Sequence, residues 1–330
     1  MKHPELTVVV TAYNEAANLA TLHRRLVATL HGLHALQWQI LYVDDGSSDL
    51  TWHVIETLAS QESRVSGIRL SRNFGKEIAL SAGLDAVQNG ALVFIDADGQ
   101  DPPELIPVFV ARWRMGYDNV YGVRLGRKGD SWFKRLSAAM FYRLIARLSI
   151  TPVPADTGDF RLLSSRAVCA LQQFPKRHRF MKGLFGWIGF RHVAVPYQRQ
   201  PRMSGFSKFS VWRLWNFALE GITSFSTIPL RVTTYLGLAT PCFAFLFGGW
   251  VIVRAVIHGD RVPGWPSLMA VIVLLGGVQL IALGFIGEYL GRLYDEVKQR
   301  PLYLIQERAG GKERAPSSMP LPVASQEKIL

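Results

Sequence analysis

The stretch Leu92-Val93-Phe94-Ile95-Asp96-Ala97-Asp98 decides the fold, because four apolar residues run directly into two carboxylates. A short apolar run that ends so abruptly is typical of a buried strand in a parallel sheet. Asp96 and Asp98 are two residues apart, so an extended backbone directs both carboxylates to the same side. With Gln100 as a third oxygen donor, they suit Mg²⁺ or Mn²⁺. The alternative is a solvated acidic turn.

Three further apolar runs, at residues 6–11, 40–43 and 65–70, have the length of strands. The intervening residues 16–30 carry leucines at helical spacing, which is the pattern of strands alternating with crossover helices. We therefore expect an α/β fold with a mostly parallel sheet. Its polar strand ends should lie at one edge, where open parallel sheets bind their ligands.

The other polar strand ends suggest a nucleotide site. Asp44 and Asp45 follow residues 40–43, and acidic residues at such a position commonly bind the ribose or base of a nucleotide. Tyr13 offers a ring on which a base can stack. A turn with helix caps is the alternative for both segments, and we expect Asp49 to cap a helix.

Charge, cysteine positions and missing motifs argue against a nucleic-acid-binding protein, a zinc or disulfide protein and several other enzyme classes. The 330 residues carry a formal charge of +12, but no nucleic-acid-binding motif accompanies it. Cys169 and Cys242 are isolated, which argues against a zinc site or a disulfide framework. The sequence also lacks GxGxxG, GxxxxGK[ST], GxSxG and HExxH motifs.

Two uncharged stretches, of 22 residues at 232–253 and 21 residues at 267–287, predict transmembrane helices. The short connection predicts a hairpin, and its flanks are richer in Lys and Arg than the connection itself. Both termini should therefore be cytoplasmic, and residues 1–5, which lack an apolar h-region, lead us to expect no signal peptide. Gly284, Gly287 and Gly291 form a small-residue face that favours a homo-oligomer.

These features divide the chain into four parts: a cytoplasmic catalytic domain at residues 1–205, an interfacial amphipathic segment at 206–231, a two-helix transmembrane hairpin at 232–294, and a cytoplasmic tail at 295–330. Residues 131–149 also have the composition of an interfacial amphipathic helix. For both amphipathic segments, ordinary packing on the sheet is the alternative. The end of the tail is expected to be disordered.

Six ordered motifs resemble family 2 glycosyltransferases of the polyprenyl-phosphate branch, which includes bactoprenol glucosyltransferases and dolichol-phosphate mannose synthase. The resemblance covers roughly residues 5–295 and implies a GT-A type nucleotide-binding domain. The motifs are Thr11-Ala12-Tyr13-Asn14-Glu15, Val43-Asp44-Asp45-Gly46-Ser47-Ser48-Asp49, Asn73-Phe74-Gly75-Lys76, Asp96-Ala97-Asp98-Gly99-Gln100-Asp101-Pro102-Pro103, Asp156-Thr157-Gly158-Asp159-Phe160-Arg161-Leu162 and Ser204-Gly205-Phe206-Ser207-Lys208.

The resemblance implies a role for each matching residue. The donor nucleotide sugar would be bound by Thr11, Tyr13, Glu15, Asp44, Asp45, Lys76, Asp96, Arg202, Ser207 and Lys208. The metal would be bound by Asp96, Asp98 and Gln100, and the acceptor phosphate by Arg124, Arg135 and Ser137. The catalytic residues would be Asp98, Asp159 and Asp156, with either of the last two nearest the sugar.

The implied reaction is inverting transfer of a sugar, with glucose from UDP-glucose as the first choice, to undecaprenyl phosphate at the cytoplasmic face of a bacterial inner membrane. GDP-mannose or a UDP-N-acetylhexosamine is the alternative donor. A membrane-anchored binding protein without catalysis is the alternative of another class. The expected partners are a nucleotide sugar, the polyprenyl phosphate lipid and the membrane, and nucleic acid is not among them.

Overall fold

The computed structural model describes residues 5–33, 36–125, 157–174, 181–198, 265–298 and 300–310, together with a few positions between 239 and 257. The strands are β1 Leu6–Ala12, β2 Trp38–Asp44, β3 Val65–Leu70, β4 Ala91–Asp96, β5 Asn119–Arg124, β6 Thr157–Leu163, β7 His192–Tyr197 and β8 Ile305–Ala309. The helices are α1 Ala16–His31, α2 Thr51–Gln61, α3 Lys76–Ala86, α4 Ile106–Arg114, α5 Ser165–Gln172, α6 Met181–Trp187 and α7 Trp265–Val297, and a 3₁₀ turn at Pro103–Leu105 precedes α4.

The described strands form one sheet in the order β7-β5-β6-β4-β1-β2-β3-β8. Its centre is parallel, with β1 paired to both β2 and β4 and β2 paired to β3. The flanking pairs β4–β6, β5–β6 and β3–β8 are antiparallel, whereas β5–β7 is parallel. The predicted α/β fold with a mostly parallel sheet is confirmed, and all four predicted strands are present.

Alternation along β1 shows why this sheet is buried on both faces. Val8 and Val10 pack with the helix leucines of α1 and with apolar residues of α2 and α4. Val9 points to the other face and packs with α3, α5 and α6. A strand covered by helices on both faces carries mostly apolar residues, and β1 has apolar residues at five of its seven positions and threonine at the other two.

β8 was not predicted. The segment Ile305-Gln306-Glu307-Arg308-Ala309 contains three polar residues in five, so it lacks the apolar run that marks the central strands. It nevertheless pairs antiparallel with the edge strand β3, with Glu307 opposite Arg69. The predicted cytoplasmic tail at 295–330 therefore begins with the end of α7 and contains an ordered strand, and residues 311–330 lie outside the described residues.

α7 runs for 33 residues and includes the second predicted transmembrane stretch. Within the described part of the chain it is the one helix long and apolar enough to cross a membrane, over Leu274–Gly291. None of that window is buried against the protein. Residues 131–149, 206–231 and the greater part of the first predicted transmembrane stretch, 232–253, fall outside the description, so those predictions remain predictions.

Gly46 fixes the turn that follows β2. Its φ of +64° lies in the left-handed region, and a Cβ atom there would lie 2.3 Å from the backbone carbonyl carbon of Arg72. Backbone atoms of this kind cannot rotate away as a side chain can. The loops after β2 and β3 can therefore approach this closely only with glycine at position 46.

We expect Gly46→Ala to lower the free energy of unfolding by at least about 2 kcal/mol, because backbone strain and a steric clash add. Thermal unfolding of the detergent-purified protein measures the effect. Gly75→Ala is the matched control, since Gly75 has φ +99° but no atom within 4 Å of the added Cβ. Equal melting temperatures for the two variants would contradict the close approach of the loops.

Candidate active site

The carboxyl ends of β1, β2 and β4 meet at one edge of the sheet. Ala12 lies opposite Asp44 in the β1–β2 register, and Thr11 lies opposite Asp96 in the β1–β4 register. The Thr11 hydroxyl donates a hydrogen bond of 3.2 Å to Oδ1 of Asp96. The structure thus brings the predicted nucleotide and metal residues of three strands to a common edge.

The loops after β1 and β2 are joined by reciprocal hydrogen bonds. The Asn14 backbone N–H donates to Ser47 Oγ at 2.9 Å, and the Ser48 N–H donates to Asn14 Oδ1 at 2.9 Å. Asn14 has φ +54°, a left-handed conformation that asparagine tolerates better than most residues. These hydrogen bonds fix the loop after β1. Tyr13, in this loop, is 42% exposed beside the sheet edge.

Two acidic side chains here form hydrogen bonds at the starts of helices. Asp49 accepts hydrogen bonds from the N–H groups of Ala16 and Thr51, the first residues of α1 and α2, although the N-cap residue of α2 is Leu50 and not Asp49. Glu15 accepts a hydrogen bond from the side-chain amide of Asn18. Glu15 therefore lies at the start of α1, and its assignment to the nucleotide stays a prediction.

Asp44 is fully buried at the end of β2. Its Oδ1 accepts hydrogen bonds from the N–H of Ser47 at 3.0 Å and from the Ser47 hydroxyl. Its Oδ2 has no hydrogen-bond partner among the described residues, and Arg69 Nε lies 3.6 Å from it. Burial raises the pKa of this carboxyl, while Ser47 and Arg69 lower it. A buried acceptor of this kind can bind an N–H or O–H of a ligand.

Asp45 has a different environment. Its two oxygens accept hydrogen bonds from the backbone N–H groups of Phe74 at 2.8 Å and Gly75 at 2.9 Å. Burial raises the pKa of the Asp45 carboxyl, and these two hydrogen bonds lower it. Asp45 thus holds the loop that leads into α3, whose first residue is Lys76.

Lys76 links two strands through opposite charges. Its Nζ lies 2.6 Å from Oδ2 of Asp96 on β4 and 2.5 Å from Oδ2 of Asp159 on β6. Phe94 pairs with Arg161, so Asp96 and Asp159, two residues further along antiparallel strands, lie side by side. Burial would lower the pKa of the Lys76 ammonium, but Asp159 and Asp96 raise it above its ordinary value. The lysine therefore stays charged.

The turn after β4 brings further charges together. Asp98 Oδ1 accepts a hydrogen bond of 3.1 Å from the N–H of Gln100. Asp101 is buried and accepts a hydrogen bond of 2.5 Å from the Tyr197 hydroxyl. Burial raises the pKa of Asp101, and the nearby charge of Asp96 raises it further. Arg124, at the end of β5, donates to the same hydroxyl at 3.4 Å and lies 4.0 Å from Asp101.

Comparisons with known proteins agree with this geometry. The model of glycosyl transferase family 2 matches residues 7–170, and that of the GtrB C-terminal hairpin matches residues 228–293. The chain is 49% identical over 306 residues to an uncharacterized glycosyltransferase of Synechocystis, covering 93% of this chain and 96% of that one.

The chain is a family 2 glycosyltransferase. It is also 43% identical to a prophage-derived bactoprenol glucosyl transferase of Shigella flexneri, over 93% of this chain and 99% of the relative. Among solved structures, it is similar to a mannosyltransferase of Pyrobaculum calidifontis in complex with GDP-Man and Mn²⁺, at 16% identity, 91% and 87% coverage and a TM-score of 0.46. The family assignment does not depend on this last similarity.

The carboxylates of this glycosyltransferase are hard oxygen donors, the type of ligand that divalent cations such as Mg²⁺ prefer. Asp96 and Asp159 already hold the Lys76 ammonium between them, so this part of the site accommodates a cation. Among the described residues, no group of three or more His, Cys, Asp or Glu side chains is arranged to hold a metal. One or two carboxylates, completed by water and phosphate oxygens, is the usual protein contribution to Mg²⁺. Asp96, Asp98 and Gln100 remain the predicted ligands.

Several predicted site residues cannot be placed. Asp156, Arg135, Ser137, Arg202, Ser207 and Lys208 lie outside the described residues. Conversely, sequence reasoning missed Ser47, Arg69 and Tyr197. Ser47 belongs to a motif that the sequence analysis quoted, so its position beside Asp44 could have been inferred. No local pattern marks Arg69 or Tyr197, whose partners are distant in the sequence.

Asp45→Asn should lower the free energy of unfolding by about 1–3 kcal/mol, because an amide NH₂ would then face a backbone N–H. Thermal unfolding in detergent measures this loss. Glu56→Gln, on the exposed face of α2, is the matched control and should keep the wild-type melting temperature. An unchanged melting temperature for Asp45→Asn would contradict its role in holding the loop before α3.

Proposed function

We propose that this enzyme transfers glucose from UDP-glucose to undecaprenyl phosphate at the cytoplasmic face of a bacterial inner membrane, with inversion at the anomeric carbon. The observation that carries the proposal is the 43% identity, over 93% of the chain, to a relative named bactoprenol glucosyl transferase. That match extends through the region of the GtrB C-terminal hairpin at residues 228–293. The product would be a polyprenyl phosphoglucose for cell-envelope glycosylation.

The nucleotide would bind between the loops after β1 and β2. Asp44 supports this assignment, because one of its buried oxygens has no hydrogen-bond partner in the described part of the chain. Tyr13 presents an exposed ring at the same edge. Glu15 and Thr11 complete the proposed set on the β1 side. Asp45 would contribute by holding the loop that carries Lys76.

The donor diphosphate would lie next to Lys76. The Lys76 ammonium would then release Asp96 or Asp159 and bind a phosphate oxygen instead. Arg202, Ser207 and Lys208 are proposed to bind the same diphosphate, as the resemblance to the family implies. A Mg²⁺ or Mn²⁺ ion held by Asp96, Asp98 and Gln100 would neutralise the negative charge of the departing diphosphate. The polyprenyl-phosphate family resemblance and the carboxylates at this strand end support that assignment.

The proposed reaction is a single in-line displacement. An acceptor phosphate oxygen forms a bond to the anomeric carbon as the bond from that carbon to the diphosphate oxygen breaks. A phosphate monoester has a second pKa of about 6, so the nucleophile is largely deprotonated at neutral pH. A strong general base is therefore unnecessary. Asp159, nearly buried and in contact with Lys76, is better suited to positioning the sugar or the acceptor, and Asp156 is the alternative for this role.

Arg124 would receive the acceptor phosphate, together with Arg135 and Ser137. The Arg124 side chain is 25% exposed at the end of β5, and it lies beside the sheet edge that carries Asp101. A positive charge there compensates for the surrounding carboxylates and would attract a phosphate. The acceptor site would thus adjoin the donor site.

The membrane part is proposed as a two-helix hairpin at residues 232–294, preceded by an interfacial segment at 206–231, with both termini in the cytoplasm. The exposed apolar helix α7 and the match to the GtrB C-terminal hairpin support this arrangement. The acceptor's phosphate lies at the bilayer surface, so an enzyme that uses it gains from being held there. A homo-oligomer through the glycine face of α7 belongs to the same proposal, since no described atom approaches within 4 Å of a Cβ at Gly284, Gly287 or Gly291.

The proposal is tested with detergent-purified protein, undecaprenyl phosphate and a panel of UDP- and GDP-sugars. We expect transfer from UDP-glucose to exceed that from the other donors, to stop when the divalent cation is chelated, and to return on addition of Mg²⁺ or Mn²⁺. Preferred use of GDP-mannose or a UDP-N-acetylhexosamine would overturn the choice of donor. Absence of transfer from every donor would overturn the proposed activity.

Asp98→Asn should reduce kcat by about 10²-fold or more, because the leaving diphosphate would lose electrostatic stabilisation. The melting temperature of Asp98→Asn should stay close to that of the wild type, because Asp98 is proposed to bind the metal and not to pack in the core. Glu56→Gln changes an exposed carboxylate of the same domain and should turn over normally. Near-normal turnover of Asp98→Asn would refute the metal assignment.

A further inference from the structure

Arg69 connects the proposed nucleotide pocket to the edge of the sheet. Its Nε lies 3.6 Å from Oδ2 of Asp44, and its Nη2 donates a hydrogen bond of 3.4 Å to the carbonyl oxygen of Ser47. Both contacts are long, and Arg69 Nε has no hydrogen-bond partner among the described residues. The Asp44 pocket by itself therefore holds this guanidinium loosely.

Glu307 supplies the firm contact. Its Oε1 lies 2.9 Å from Arg69 Nη1, and its Oε2 accepts a hydrogen bond of 2.8 Å from the indole N–H of Trp52. Trp52 is buried in α2, so the indole gives the carboxylate a rigid anchor. One side chain of β8 thus fixes the guanidinium that also approaches Asp44.

The backbone places Glu307 at this position. β8 pairs with β3 so that Glu307 lies opposite Arg69, and the Ser71 N–H donates to the Leu304 carbonyl oxygen at 2.9 Å. Ile305 packs on the core beneath the sheet. Only residues 298–304 separate this strand from the end of the apolar helix α7. The chain therefore returns from the proposed membrane hairpin directly to the edge of the catalytic sheet.

The contact between Glu307 and Arg69 contributes little to the stability of the fold. The Glu307 side chain is 39% exposed, and ion pairs at such exposure contribute at most about 1 kcal/mol to folding. The contact has a larger effect on the orientation of the Arg69 guanidinium. A guanidinium that Glu307 holds in place presents a fixed charge to Asp44, and the orientation of buried polar groups determines how well they bind a ligand.

We propose that Glu307 is a positioning residue for the donor nucleotide, acting through Arg69 to hold Asp44 and the Ser47 loop in the orientation that binds the nucleotide. This inference rests on the proposed function, in which Asp44 contacts the donor. It assigns the C-terminal strand a part in donor binding, although that strand lies more than 230 residues after the strands that form the pocket.

Glu307→Gln in the full-length protein tests the proposal. The amide keeps an acceptor for Trp52 but loses the charge that orients Arg69. We expect the KM for the sugar donor and the Kd for UDP to rise about five- to tenfold, with kcat within about twofold of wild type and an unchanged KM for undecaprenyl phosphate. UDP binding is measured by calorimetry in detergent, independently of turnover.

Arg308→Ala is the matched control, because it removes a charged side chain from the neighbouring position of β8, which faces away from Arg69. It should leave KM and Kd at their wild-type values. A double-mutant cycle separates positioning from a general structural effect. If Glu307 acts through Arg69, then Glu307→Gln should change the Kd for UDP by less than about twofold in an Arg69→Gln background.

Wild-type UDP affinity in Glu307→Gln would overturn the inference, as would an undiminished effect in the Arg69→Gln background. A lowered melting temperature with unchanged KM and Kd would assign Glu307 a purely structural role and also overturn it. Failure of the proposed function has a different signature: the wild-type protein would transfer no sugar from any donor. In that case the UDP affinities of the wild type and Glu307→Gln would still decide whether the strand positions a nucleotide pocket.

Discussion

The parallel register of β1 with β2 and β4 is the constraint on which the rest of the site depends. It places Ala12 beside Asp44 and Thr11 beside Asp96, so the loops that follow these strands begin at the same level of the sheet. A slip of one residue would turn every side chain of a strand to the opposite face. The apolar residues on both faces of β1 oppose such a slip, because each packs against helices on its own side.

Bringing these strand ends together concentrates negative charge, and the protein compensates for it in two ways. Backbone N–H groups donate hydrogen bonds to both oxygens of Asp45. This compensation is permanent, because the same hydrogen bonds hold the loop before α3. The Lys76 ammonium compensates Asp96 and Asp159, and a lysine side chain can move. Of the two, only the ion pairs of Lys76 can be replaced by contacts with a ligand. The carboxylates that meet Lys76 are therefore the ones suited to chemistry, whereas Asp45 is suited to support.

Sequence patterns predict this fold as far as its residues are locally informative. Residues 40–43 and 92–95 are apolar enough to identify strands, and the acidic residues that follow them mark the ligand edge. β8 could not be found this way, because Gln306, Glu307 and Arg308 suit an exposed edge strand and resemble a polar tail. Tyr197 and Arg69 act on partners far away in the sequence, and no local periodicity encodes such contacts. Spacing and strand-end position indicate the metal role of Asp96 and Asp98 and the nucleotide role of Asp44 and Asp45, whereas the roles of Lys76, Asp159 and the arginines are implied by the resemblance to a family.

The position of β8 has a consequence for how the pocket is completed. Trp52, Arg69 and Glu307 come from three elements, of which the last follows the apolar helix α7 in the chain. β3 is an edge strand until β8 pairs with it, so Arg69 can be fixed only after the C-terminal segment has returned from α7. If this pocket binds the donor nucleotide as proposed, it would be complete only in a chain whose C-terminal part is already in place. Donor binding and membrane anchoring, although encoded at opposite ends of the sequence, would then share one strand of the sheet.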